Sequence, residues 1–265
     1  MDLELKDKVA LVTGGSKGIG RLVAEELALE GVDVAICART RETLEATATE
    51  LANSTGRRIV PIVADTTDTP SVDAMVATVI ETFGRLDILV NNAGQPGGLA
   101  LGPLSTVTDE DMHADLNTKF LGYLRCARAA APHMAKGGYG RIINVGGQSA
   151  RMPGTYSTGA RNIAIVHMSK TLADELGPSG INVNAVHPGA TVTEYIRGQI
   201  ETRARDQGKS VAEVEEAMAA NNAIKRLVTA REVAHVVVFL ASPKSVSISG
   251  EVIGVGGGAG RSIPT

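Results

Sequence analysis

Short β-branched runs recur along the chain at Val9–Val12, Val32–Cys37, Ile59–Val63, Ile88–Val90, Ile142–Val145, Ile181–Val186 and Val252–Val255. They are mostly apolar without alternation, which predicts strands buried on both faces. Between them, apolar residues fall at helical spacing, as in Leu22, Val23 and Leu27 or Val233, Val236, Val237 and Leu240. Buried strands alternating with amphipathic helices predict an α/β fold, a doubly wound parallel sheet with helices on both faces. No linker or repeat divides the pattern, so residues 1–265 read as a single domain. The exception to the alternation is a polar insertion, Thr193 to Arg226, in which Ser210 and Glu213 form a capping-box signal for a helix. An insertion beyond the C-terminal end of a strand is where a substrate lid is built.

Composition narrows the classes. With 43% hydrophobic residues the chain can bury a core, and a net charge of −3 lacks the basic footprint of a nucleic-acid binder. Cys37 and Cys126 lie far apart and five histidines show no ligand spacing, so neither a disulfide framework nor a metal site is expected. No run approaches the ~20 apolar residues that span a bilayer. The first eight residues alternate acids and bases rather than forming a targeting segment, so a cytoplasmic protein with no membrane attachment is expected.

Glycine is concentrated: nineteen of thirty lie in Thr13–Gly20, Gly94–Gly102, Gly137–Gly147 and Gly250–Gly260. The first window, Thr13-Gly-Gly-Ser-Lys-Gly-Ile-Gly20, joins a strand to a helix. Glycines there permit a tight turn, and unpaired N–H groups at the helix start attract phosphate. Gly14, Ser16, Lys17, Gly18, Ile19 and Gly20 are therefore candidate cofactor residues.

Further along come Asp65 after the third strand, Asn91-Asn92-Ala93-Gly94, Asn117, His187-Pro188-Gly189 and the segment Gly250 to Gly257. In this order, from about Lys8 to Gly258, the motifs resemble the short-chain dehydrogenase/reductase family. The resemblance implies a seven-stranded Rossmann sheet, a nicotinamide dinucleotide and a small-molecule substrate. It also implies a homo-oligomer, tetramer or dimer, assembled through two long central helices and the last strand. It adds Asp65, Thr66, Asn92, Ala93, Gly94, Pro188, Gly189, Thr191 and Thr193 to the cofactor candidates.

After the second strand, a carboxylate would accept a ribose 2′-hydroxyl and repel a 2′-phosphate. The residues there are Ala38-Arg39-Thr40-Arg41. Arg39, with Lys17 in the glycine turn, favours NADP(H) over NAD(H).

In the family, a Tyr-x-x-x-Lys pair and a serine complete the chemistry, and an asparagine supports a proton-relay water. Asn117 matches the asparagine. Alignment of the following helix on Met168-Ser-Lys-Thr-Leu-Ala173 puts Thr158 at the tyrosine position and Asn162 at the lysine position. Gly147 holds the serine position, with Ser149 two residues on. Three readings follow. Tyr156 is the acid, provided that the backbone there is not yet helical, with Ser149 polarising the carbonyl and Arg161 or Lys17 replacing the lost charge. Alternatively Thr158, Asn162 and a water held by Asn117 complete the site. In the third reading, the protein binds NADP(H) as a sensor or structural ligand and does no chemistry.

Overall fold

The computed structural model describes residues 1–259; Gly260, the last residue of the fourth glycine window, lies outside them. All seven expected strands form, as β1 (Val9–Thr13), β2 (Asp33–Ala38), β3 (Ile59–Val63), β4 (Ile88–Asn91), β5 (Gly140–Val145), β6 (Ile181–Pro188) and a last strand, Val252–Val255. They make one parallel sheet in the order β3-β2-β1-β4-β5-β6 with Val252–Val255 at the far edge.

Alternate residues of β1 serve opposite faces. Ala10 and Val12 join a core with Val23 and Leu27 of α1 (Gly18–Leu29), Leu44 and Leu51 of α2 (Arg41–Thr55), and the C-terminal helix Ala230–Ala241. Val9 and Leu11 join a second core with Val76 and Val79 of α3 (Thr69–Phe83) and, beyond α4 (Asp109–Leu116), with Cys126 and Ala130 of α5 (Gly122–Gly137) and Ala173 of α6 (Tyr156–Leu176). Burial on both faces explains why the strands read as continuous apolar runs. It also pushes both cysteine thiols up, Cys37 to about 12, which leaves them inert.

The chain runs outward from β1 to β3, then returns to β4 on the other side of β1. That reversal opens a crevice at the C-terminal ends of β1 and β4. A turn of π-helix, Asn117–Leu121, joins α4 to α5.

The polar insertion folds as α7 (Glu194–Gln207) and α8 (Val211–Ala219), and the Ser210–Glu213 capping box forms as expected. The two helices share a small core of Ile200, Ala204, Val214 and Ala219 with Leu227. They are bracketed by β7 (Thr191–Val192) and β8 (Val228–Thr229), a two-stranded parallel pair too short to show in the hydrophobic pattern. The C-terminal helix and strand of the main sheet are thus α9 and β9. No helix among the described residues is long and apolar enough to cross a membrane.

Candidate active site

The glycine turn and the Asn-Ala-Gly segment fix one another across the crevice. Thr13 Oγ1 accepts the N–H groups of Asn92 at 2.9 Å and Ala93 at 3.1 Å. Asn92 Nδ2 donates in return to the carbonyls of Thr13 and Gly14, at 3.1 and 3.2 Å. A methyl group on Gly20 would lie 2.3 Å from Gly14 O, so α1 can begin this close to the turn only with glycine. Lys17 is the N-cap of α1, and no side chain caps the helix from that position. Instead, Glu194 at the start of α7 places a carboxylate oxygen 3.2 Å from the Gly18 N–H. An anion thus already stands at the positive end of the helix.

Gly14, Lys17, Gly18 and Ile19 line a cleft of about 710 Å³. Ser16 and Gly20 do not line it: the Ser16 carbonyl accepts from Thr47 Oγ1 at 3.0 Å, and Gly20 is buried. Asn92, Ala93 and Gly94 form the facing wall, and Pro188, Gly189, Thr191 and Thr193 form the end beside α7. Thr193 also caps α7, its Oγ1 accepting the Ile196 N–H at 3.3 Å. Arg39, Asp65 and Thr66 lie outside the cleft wall, after β2 and β3. Arg39 is exposed. The Asp65 carboxyl is held below its ordinary value, chiefly by the Thr67 N–H and secondarily by charges including Arg39.

On the chemical side two expectations are corrected. Helix α6 starts at Tyr156 itself, with Thr155 as N-cap. Two helical residues turn a side chain by roughly 200°, so Tyr156 points away from the face of Thr158. It is half-exposed and does not line the cleft, so the condition set for it as the acid, a backbone not yet helical, is not met. Asn117 is likewise absent from the cleft wall. Its Oδ1 accepts from Arg125 at 2.7 Å and its carbonyl accepts from the same guanidinium at 3.2 Å, so it ties the π turn to α5.

Ser149, from one reading of the chemical side, and Thr158 and Asn162, from another, all line the cleft. Asn162 Nδ2 donates to Ser149 Oγ at 2.8 Å, and Thr158 Oγ1 lies 2.6 Å from Thr155 Oγ1. A side chain on Gly147 would begin 2.9 Å from Asn162 Nδ2, so a larger residue there would require the Asn162 amide to shift. Asn162 Oδ1 is buried and unpartnered. Arg161 also reaches the cleft, but its guanidinium is ion-paired with Asp115 of α4 and donates to the Gln95 carbonyl at 2.9 Å. It is committed to this pair rather than replacing the lost lysine.

Among the cleft residues that the sequence did not single out are Lys119 and Tyr195. Lys119, in the π turn, is buried, lines the cleft, and donates from Nζ to the Gly146 carbonyl at 3.0 Å. Burial, assisted by Arg161, lowers its pKa to about 7, against the opposing pull of Asp115. Tyr195 of α7 lines the cleft from the insertion, its hydroxyl accepting from Gln199 Nε2 at 2.8 Å. Neither carries a periodic signal. An extra residue in a helical turn shifts every later side chain around the axis, and nothing in the local sequence announces it.

The site suits a dinucleotide. Glu194 shows that the glycine turn takes an anionic oxygen, and Asn162 Oδ1 is an orphaned acceptor matched to a ribose hydroxyl donor. Comparison with known proteins agrees. Residues 14–260 match the family model described as enoyl-(acyl carrier protein) reductase. Short-chain reductase protein NovJ of Streptomyces niveus is 37% identical over 254 residues, covering 96% of this chain and 94% of that protein. The 3-oxoacyl-[acyl-carrier-protein] reductase FabG of Vibrio harveyi is 34% identical over 258 residues, covering 97% and 98%. The structure of L-sorbose reductase from Gluconobacter frateurii, complexed with NADPH and L-sorbose, superposes with a TM-score of 0.94 at 30% identity, covering 99% of this chain and 100% of that one. With sheet order, paired motifs and near-complete coverage in accord, the chain belongs to the short-chain dehydrogenase/reductase family.

Proposed function

We propose that the protein is an NADP(H)-dependent oxidoreductase that interconverts a small carbonyl compound and its alcohol without the family's tyrosine–lysine pair. The observation that carries this reading is one cleft lined both by the anion-attracting glycine turn and by Ser149, Thr158 and Asn162. When bound, the nicotinamide supplies or removes the hydride. Gly14 to Ile19 and Asn92 to Gly94 hold the dinucleotide, and Arg39 takes the 2′-phosphate beside Asp65 and Thr66. Asn162 receives a ribose hydroxyl on its orphaned Oδ1. Because Ser149 Oγ accepts from Asn162, its own O–H is left to polarise the substrate oxygen. Helices α7 and α8 act as a lid, exchanging the Glu194 contact for the cofactor's phosphates. The same reading takes the chain as a single cytoplasmic domain that self-associates through α5 and α6.

Several relatives are named as reductases of ketoacyl, hydroxynaphthalene or sugar substrates, which supports carbonyl reduction as the reaction class. The test is an NADPH fluorescence titration followed by NADPH oxidation across aldehydes, ketones and quinones. Binding with turnover of at least one carbonyl is the expected result. Binding with no reduction above background sinks the enzyme reading and leaves a non-catalytic NADP(H)-binding protein, the reading favoured by the absence of Tyr156 from the cleft.

A further inference from the structure

The family's acid pair is missing from α6, yet the cleft is not without an exchangeable proton. Lys119 comes from a different element, the π turn between α4 and α5. Its stem runs past Gly94, where a side-chain carbon would lie 3.2 Å from Lys119 Cδ, and its Nζ ends on the Gly146 carbonyl at 3.0 Å. That carbonyl precedes Gly147 and the Ser149–Asn162 pair. One N–H of the ammonium is used there. Among the described residues, no other hydrogen bond engages Lys119 Nζ.

We propose that Lys119 is the proton donor of this site, protonating the substrate oxygen as the carbonyl is reduced and taking the proton back in the reverse direction. The inference rests on the oxidoreductase reading above. In the reduction, the hydride from the bound cofactor forms the new C–H bond. The carbonyl π pair moves onto oxygen, and a Lys119 N–H bond breaks to form the alcohol O–H. Lys119 is left as the neutral amine and regains a proton from solvent.

The surroundings suit that exchange. Asp115 of α4 and Arg161 of α6 neutralise one another as a buried pair. His187 of β6, whose ring would crowd any side chain at Gly146, is buried with both nitrogens unpartnered. Its pKa is lowered to about 4, chiefly by burial and then by Arg151 and Lys119, so it is neutral at physiological pH. The net field on Lys119 is therefore that of burial and Arg161 against Asp115, which brings its ammonium and amine forms into balance near pH 7. A donor so balanced is efficient at neutral pH. The hydroxyls of Thr158 and Ser149 are poor proton donors there. Tyr195 is the competing donor, and it sits half-exposed on the insertion.

The test compares wild type, Lys119→Met and Tyr195→Phe. The inference expects Lys119→Met to bind NADPH within about threefold of wild type but to reduce carbonyls roughly 100-fold or more slowly. Tyr195→Phe stays within about fivefold of wild type in rate. Wild-type kcat/KM falls as pH rises from 7 to 9, and Lys119→Met loses that limb in its residual rate. An activity-free readout accompanies these: between pH 7 and 8, below the range in which the unfolded cysteines ionise, Lys119 makes urea stability of wild type rise with pH relative to Lys119→Met. If wild type binds NADPH and reduces no carbonyl, the oxidoreductase reading fails and the donor role goes with it. If wild type reduces a carbonyl but Lys119→Met keeps its rate, or Tyr195→Phe alone abolishes it, only the Lys119 inference is overturned. Should Lys119→Met not fold, a wild-type profile flat from pH 7 to 9 overturns the inference by itself.

Discussion

Asp115 and Arg161 form an ion pair across α4 and α6 in which the side chains retain 0% and 4% of their exposure. Asp115 Oδ2 and Arg161 Nε are left buried without partners. Such a pair contributes little net stability, but removing one member strands the other charge. Asp115→Asn should lower the free energy of unfolding by about 3–5 kcal/mol in urea titrations. The double variant Asp115→Leu, Arg161→Met should recover most of that loss. A single variant as stable as wild type would show that the pair is solvated.

Arg39 carries the cofactor preference. It is exposed at the end of β2, where a guanidinium can fork onto a 2′-phosphate. Arg39→Ala should weaken NADPH binding by roughly 10- to 100-fold, the worth of one charge-assisted contact of about 1.5–3 kcal/mol. NADH binding should barely change. Equal losses for both cofactors in fluorescence titrations would remove the 2′-phosphate assignment.

Glu194 holds the anion position of the glycine turn through the Gly18 N–H. A phosphate arriving there must displace a carboxylate of the same sign. Glu194→Gln should therefore tighten NADPH binding by about two- to fivefold, since removing a like charge near a helix N-terminus is worth about 0.3–1 kcal/mol. Weaker binding in the variant would mean that Glu194 assists the cofactor rather than competing with it.

The contrast between strands and site follows from what periodicity encodes. Val9 to Val12 and the other inner strands are apolar because both faces of the sheet are covered, and burial leaves its mark residue by residue, while the edge strands Ile59–Val63 and Val252–Val255 are only partly covered. The glycine turn was legible for a similar reason, since Gly14 and Gly20 tolerate no side chain at their contact distances. Tyr156 and Asn117 were misplaced because helix phase decides which way they face. The first depended on where α6 begins and the second on a π turn that no hydrophobic pattern marks. Lys119 reads as one more helical lysine until the fold places its stem beside Gly94. Glu194 and Gly18 are 176 residues apart, and their contact belongs to the tertiary structure alone.

His187 supplies a pH dependence that needs no ligand. Its ring is 1% exposed and neither nitrogen finds a partner. Burial lowers its pKa from 6.5 to about 4. Between those values the unfolded chain binds a proton that the native protein refuses, so the unfolded state holds more protons and stability rises with pH. The contribution is therefore complete above about pH 6.5 and is lost as pH falls towards 4. A shift of this size corresponds to a loss of up to about 3 kcal/mol across the window. Substituting His187→Leu removes the titrating ring while keeping an apolar side chain of similar bulk. In urea unfolding at pH 4.5 and 7.0, wild type should lose distinctly more stability than His187→Leu at the lower pH. Parallel losses in the two proteins would place the acid sensitivity among the carboxylates and clear His187 of it.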